Sequence, residues 1–341
     1  MVYLNEENKA AESVYVDFLS EQIDQHPEGE DKYLKLAEIY RQKGDESAAL
    51  DLLKKGEREN PENIDLLLAM AAIHLKNENV PELAKSLAAI RKLDADHIDF
   101  LKLSAGYSLL LRDYTNAIYF ANRAMLVNAF DDEIMNLRGR ALLINKDSIS
   151  ALHSFEEAYA LNNAPKNFST VFDLAIELRD LESAKKYLDD FGSKHNQLRL
   201  CYENGRYFHL ANRPDTAIYI LNQCLENGNQ EPGIYLELAK LYLQDNALDL
   251  ANDAINTYLE INNKNVEGLV IKARTLEKFN NYQEAISIYK QAIQIDSTSR
   301  LALGGLENLE RKVAYLQLIK RKENVQRQVE IMKPLNSKDI N

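Results

Sequence analysis

The stretch that decides the fold is residues 265–299, NVEGLVIKARTLEKFNNYQEAISIYKQAIQIDSTS. In it Leu269, Ala273 and Leu276 recur at helical spacing, a polar corner Asn280-Asn281 follows, and Ala285, Tyr289 and Ala292 resume the spacing. Apolar residues three and four apart share one helix face. The stretch therefore predicts a helix, a tight turn and a second helix, with small residues where the two must touch closely. Moving back through the sequence in steps of 34 or 33 residues returns the pattern. The alanine that opens the second helix recurs as Ala49, Ala117, Ala151, Ala184, Ala217, Ala251 and Ala285, and only Leu83 interrupts the series. A period of this length, held along most of the sequence, marks a stacked array of hairpins. Each hairpin covers an apolar face that its neighbour cannot bury alone.

The period divides the sequence into repeats at 30–63, 64–97, 98–131, 132–164, 165–197, 198–231, 232–265 and 266–299. The corner before each second helix is Asp45, Asn79, Asp113, Asp147, Asp180, Arg213, Ala247 or Asn281. Asp and Asn side chains accept from the free amides of a helix start, and Asn281 with Glu284 fits a capping box. Residues 1–29 read as a half-repeat cap, one helix with the stripe Tyr15, Leu19 and Ile23, stopped by Pro27. Residues 300–341 read as a second cap. There Leu303, Leu306, Leu309, Val313 and Leu316 cover the last repeat, and a basic extension runs through Lys320-Arg321-Lys322 towards Met332 and Pro334.

The fifth repeat, 165–197, departs from the pattern. Phe172 stands where a small residue would let the helices approach, and Gly192 is expected to end the second helix early. The expectation is a degenerate repeat that still packs. The alternative is a change in superhelical pitch, or a hinge between 1–164 and 198–332.

These residues resemble the tetratricopeptide repeat. The first repeat carries its pattern as Tyr33, Leu36, Ala37, Tyr40, Ala49, Leu53 and Pro61, and the seventh as Tyr235, Leu238, Ala239, Tyr242, Ala251 and Ile255. The resemblance covers roughly 30–299. It implies an all-α fold, a right-handed α-solenoid of about eight helix-turn-helix repeats with N- and C-terminal capping helices. The same scaffold serves many partners, so the resemblance leaves function to particular residues.

Composition narrows the classes. A net charge of −12 disfavours nonspecific nucleic-acid binding. Residues 300–341 reverse that sign, with more basic than acidic side chains. No apolar run approaches a membrane span, and the start lacks the features of a secretory signal. The expectation is a cytoplasmic protein, or a periplasmic or lipid-anchored one if a signal has been trimmed. Cys201 and Cys224 sit one on each helix of the sixth repeat and read as buried free thiols, with a disulfide as the alternative.

No phosphate-binding glycine loop, HExxH, nucleophile elbow or paired Cys/His spacing is present. The six histidines are scattered over separate repeats. Neither enzyme activity, a cofactor nor a metal is expected. Binding is where the resemblance points, because in this family the fifth and ninth positions of each first helix face a concave groove. On that implication the first half of the groove is small and apolar (Leu34, Leu68, Ala72 and Gly106) and the second half is basic. Arg140, Arg206, Lys240 and Arg274 occupy ninth positions, with Asp173 the exception, while Asn136 and Tyr202 occupy fifth positions. Together with His209 they are candidates for holding an acidic peptide or the C-terminus of a polypeptide, since the guanidinium fork takes a carboxylate bidentately. The competing expectation is that they pair with acids on adjacent repeats. A chaperone-binding subset of the family uses Lys and Asn at set positions, and Lys102 followed by Gly106 departs from it.

The expected function is a non-enzymatic adaptor for an extended or helical, acidic segment of a protein partner. The alternatives are an assembly or secretion factor using its convex face or C-terminal helix, and a regulatory subunit that positions a separate enzyme. A monomer is expected, with self-association through Val325, Val329 and Met332 as the other possibility.

Overall fold

The structure, a computed structural model, describes the backbone of residues 6–195 and 200–331 and the side chains of 13–195 and 200–328. The described residues form eighteen helices and the fold is all-α. After α1 (Glu6–Gln25), the first and second helices alternate. They run α2 (Glu30–Gln42), α3 (Glu46–Glu59), α4 (Ile64–Lys76), α5 (Val80–Leu93), α6 (Ile98–Leu110), α7 (Tyr114–Val127), α8 (Asp132–Ile144), α9 (Ser148–Leu161) and α10 (Pro165–Glu177). The series continues with α11 (Leu181–Lys194), α12 (Cys201–Leu210), α13 (Pro214–Glu226), α14 (Pro232–Gln244), α15 (Leu248–Ile261), α16 (Val266–Lys278) and α17 (Tyr282–Ile295), and ends with α18 (Arg300–Ile331). The helices group into two compact units, Met1–Leu174 and Ala175–Asn341, and the division falls within α10.

Every corner between a first and a second helix is built alike. Gly44, Glu78, Arg112, Lys146, Arg179, Asn212, Asn246 and Asn280 all have positive φ, between 52° and 81°. The amide of the next residue donates back to the carbonyl five earlier, as Asp45 to Tyr40 at 2.9 Å and Asn281 to Leu276 at 2.9 Å. That left-handed residue with its 6→1 bond is a Schellman ending, which satisfies carbonyls that the helix leaves open. The second helices then start from the expected corners. Asp45, Asp113, Asp147 and Asp180 accept from the amide three residues on, at 3.0–3.1 Å. Asn79 and Asn281 make no such bond, so the capping box expected at Asn281 and Glu284 does not form.

Packing follows from the small residues. The alanines of both series are buried, Ala37, Ala71, Ala105, Ala239 and Ala273 on first helices and Ala49 through Ala285 on second helices. The exception Leu83 is also fully buried, as is Phe172, whose ring stacks on Phe168 at 5.7 Å between centroids. Within unit 1, α2, α4, α6 and α8 touch in succession, and within unit 2 so do α12, α14, α16 and α18. Successive second helices do not pack on one another in this way among the described residues. Each unit is therefore narrower on its first-helix side, which makes that side the inner one.

Several details depart from expectation. Helix α11 runs on through buried Gly192 to Lys194, because a glycine costs only about 1 kcal/mol inside a helix and packing outweighs it. In α1 Leu19 and Ile23 are buried, while Tyr15 is 45% exposed and Val16 packs in its place. In α18 Leu306, Leu309 and Val313 join the last core, while Leu303 and Leu316 stay partly exposed, at 43% and 41%. Gly305 is there because a Cβ would come within 2.4 Å of the Tyr289 ring. From residue 320 to 328 every side chain of α18 is exposed, and Met332 and the side chain of Val329 fall outside the described residues. Finally, Cys201 and Cys224 are disulfide-bonded rather than free. Helices α12 and α13 bring their Cα atoms to 5.8 Å, within the usual reach of a bridge. No helix among the described residues is long and apolar enough to cross a membrane.

Candidate functional site

The inner side of unit 2 is formed by α12, α14 and α16, and five of the seven candidate residues stand on it. Arg206, Lys240 and Arg274 occupy the same place on these three successive, touching helices. The Arg206 guanidinium lies 5.5 Å from the centre of the Tyr202 ring. Arg274 is exposed and sits beside the Tyr289 hydroxyl, a phenol whose pKa burial raises and the arginine partly restores.

Lys240 and His209 are already engaged. Glu237 on α14 is only 8% exposed and receives a hydrogen bond from a His209 ring nitrogen on α12. Lys240 binds the other Glu237 oxygen at 3.4 Å and Glu267 on α16 at 2.7 Å. The result is a ladder His209–Glu237–Lys240–Glu267 that crosses three repeats. Burial alone would push the Glu237 carboxyl up, but the His209 bond and the Lys240 charge outweigh it and hold it below the usual range. Burial likewise works against the Lys240 ammonium, and the two glutamates more than reverse it, so its pKa is raised. A buried charge needs partners of this kind to stay ionised.

Asn136 and Arg140 belong to unit 1. The Asn136 amide donates to the Asp132 carbonyl at 2.8 Å and to Asn167 Oδ1 at 2.9 Å. Asn167, 2% exposed, in turn donates to Asp132 Oδ2 at 2.9 Å and to the carbonyls of Ala158 and Asn162. Asn136 thus serves a buried amide network. Arg140 is exposed, with no hydrogen bond or ion pair among the described residues. Also on this unit's inner side, Leu68, Ala72, Leu75, Leu103 and Leu137 line a cavity of about 270 Å3. Lys102 borders it, held by Asp131 at 3.2 Å and by Glu133.

Sequence reasoning missed Glu237, Glu267 and Asn167. One signal was available: Glu237 interrupts the apolar run Leu236-Glu237-Leu238 on a first helix, and an acid so placed demands a partner.

Comparison with known proteins then decides the family. Residues 266–299 match the family model for the tetratricopeptide repeat. The chain is a tetratricopeptide-repeat protein. A TPR repeat-containing protein of Methanocaldococcus jannaschii is 25% identical over 185 residues, 51% of this chain and 32% of the relative. The DnaJ homolog subfamily C member 7 homolog of Schizosaccharomyces pombe is 22% identical over 250 residues, 72% of this chain and 48% of the relative. The repeat protein therefore spans about a third to a half of the length of these curated relatives. Among solved structures, the APC/C hetero-tetramer Cut9-Hcn1 superimposes with TM-score 0.55 at 16% identity, covering 86% of this chain and 58% of that one. A tetratricopeptide repeat protein from Parabacteroides merdae gives TM-score 0.51 at 14% identity, covering 82% and 98%. At these identities the likeness is one of fold.

Proposed function

We propose that the repeat protein is a non-enzymatic protein-interaction scaffold that holds an acidic segment of its partner on the inner side of unit 2. The observation that carries this reading is the row Arg206, Lys240 and Arg274 on three helices in contact. Side chains at matching places on stacked repeats form a line, and an extended or helical segment crossing the helices meets each in turn. Arg206 and Arg274 offer planar forks to carboxylates. Lys240 is shared, since an incoming carboxylate competes with Glu267, the more exposed of its two partners.

The test is fluorescence anisotropy with a labelled Glu/Asp-rich peptide and a Lys-rich peptide of equal length, using the full-length protein. The acidic peptide should bind in a salt-dependent way, and Arg206→Glu with Arg274→Glu should weaken it by roughly tenfold or more. Circular dichroism establishes that the double variant folds. Equal binding of both peptides, or undiminished binding by the folded variant, rules the reading out.

A further inference from the structure

Cys201 is the first residue of α12 and Cys224 lies in the last turn of α13, so the helical hairpin of the sixth repeat sets them side by side and they bond. The bridge is more than an internal staple, because it forms part of the wall of a cleft. That cleft, of about 680 Å3, lies between α11 and α13 over the start of α12. Ligand pockets span about 300–1,000 Å3. Asn204, Gln223 and Asn227 line it beside Leu188 and Ile220, a mixed lining that suits a small polar solute.

The two cysteines meet the cleft unequally. Cys224 is 1% exposed and packs with Leu221 and Ile234, whereas Cys201 is half-buried. Cys201 is therefore the member of the pair that a solute in the cleft reaches first. Two neighbours also favour negative charge on its sulfur. Cys201 stands at the start of α12, where the open amides and the positive end of the helix dipole lie. The side-chain amide of Asn229 donates to Cys201 Sγ at 3.6 Å. Exchange between thiols and disulfides passes through thiolates, so a sulfur held in this way is suited to it and one in an apolar core is not.

We infer that the Cys201–Cys224 pair is a thiol–disulfide exchange site for small polar thiols that enter this cleft. A thiolate attacks Cys201 Sγ, a mixed disulfide forms there, and the bond to Cys224 breaks. Cys224 departs as a thiolate and takes up a proton from water. A second thiolate then attacks the outer sulfur of the adduct, which releases the small disulfide and leaves Cys201 as a thiolate. Two small thiols are thereby oxidised and the bridge is reduced, and a small disulfide drives the same steps in reverse. This site is independent of the peptide reading for unit 2.

The test uses full-length protein oxidised with glutathione disulfide, freed of it, and then treated with reduced glutathione without denaturant. Acid quenching and mass spectrometry of the peptides follow the products. A glutathione adduct on Cys201 should precede the appearance of two open thiols, at a rate that stays flat as urea rises below the unfolding transition. Single-cysteine variants, checked for folding by circular dichroism, supply a second measurement. Cys201 in Cys224→Ser should react with glutathione disulfide roughly tenfold faster than Cys224 in Cys201→Ser. Asn229→Asp keeps the acceptor that takes the Glu231 amide but sets a carboxylate against the sulfur. It should move the rate–pH profile of Cys201 towards higher pH and slow the reaction about threefold at neutral pH. Arg206→Glu with Arg274→Glu should change none of these rates, which separates the site from the peptide reading. A rate that climbs with urea in step with global unfolding, an adduct that forms first on Cys224, or a pair that glutathione disulfide leaves open overturns the inference.

Discussion

The corner residues hold the array's geometry against their own preference. Seven of the eight carry a side chain in the left-handed region, where an L-residue costs roughly 1 kcal/mol or more. Gly44 alone escapes that cost. Lys146→Gly should therefore raise stability by about 0.5–1 kcal/mol, and Gly44→Ala should lower it by about 1 kcal/mol. Urea midpoints measure both, and equal midpoints for wild type and Gly44→Ala would show that the corner tolerates a Cβ. Glu237 is the other residue where one side chain decides much. Its folded pKa lies below the ordinary carboxylate value, so its stabilisation is present above the unfolded pKa and lost as pH falls through the folded one. Glu237→Gln should cost roughly 2–3 kcal/mol at neutral pH, because Lys240 and His209 lose a buried charged partner. The variant should also show a flatter acid limb below about pH 4.5 in urea unfolding. A variant whose acid limb parallels wild type would assign that limb to other carboxylates.

At the scale of helices, the period of Ala49 through Ala285 was legible because close helix packing favours a small residue at one place in each hairpin, with Leu83 the one exception. The end of α11 was misread at Gly192, since local propensity points to a stop there and only tertiary packing reveals the continuation. The candidate residues were legible as a row on the first helices, but their engagements were not. Lys240 meets Glu267 from the next repeat, and Asn136 meets Asn167 from its own neighbour. Such pairs lie 27 and 31 residues apart, so they depend on the register between repeats rather than on any local motif. Two predictions belong here. Asn167→Leu should destabilise the protein by about 2 kcal/mol, because Asp132, Asn136 and two carbonyls lose a buried partner. Thermal unfolding measures this, and an unchanged midpoint would mean water replaces the amide. Glu267→Gln should release Lys240 from its more exposed partner and tighten the acidic peptide about threefold in the anisotropy assay. Weaker binding would show that Glu267 orients the lysine for the ligand.

For the molecule as a whole, the Cys201–Cys224 bridge ties its stability to the redox state of its surroundings. The sequence placed the two cysteines on paired helices at core positions, but a Cα separation of 5.8 Å is a property of the fold. A bridge across 23 residues removes loop entropy from the unfolded state worth about 3 kcal/mol. Protein purified without reductant should show no reactive thiol in denaturant, and dithiothreitol should expose two and lower the urea midpoint. Cys201→Ser with Cys224→Ser should lower it by a similar amount and remove the response to reductant. Two titratable thiols in the unreduced protein would instead mean that the pair stays open. Because disulfides persist in oxidising compartments and are rare in the cytosol, trapping thiols in intact cells before lysis turns the same chemistry into a test of location. A trapped, fully reduced pair supports the cytoplasmic expectation, whereas a bridge already formed in the cell favours the periplasmic or otherwise exported one.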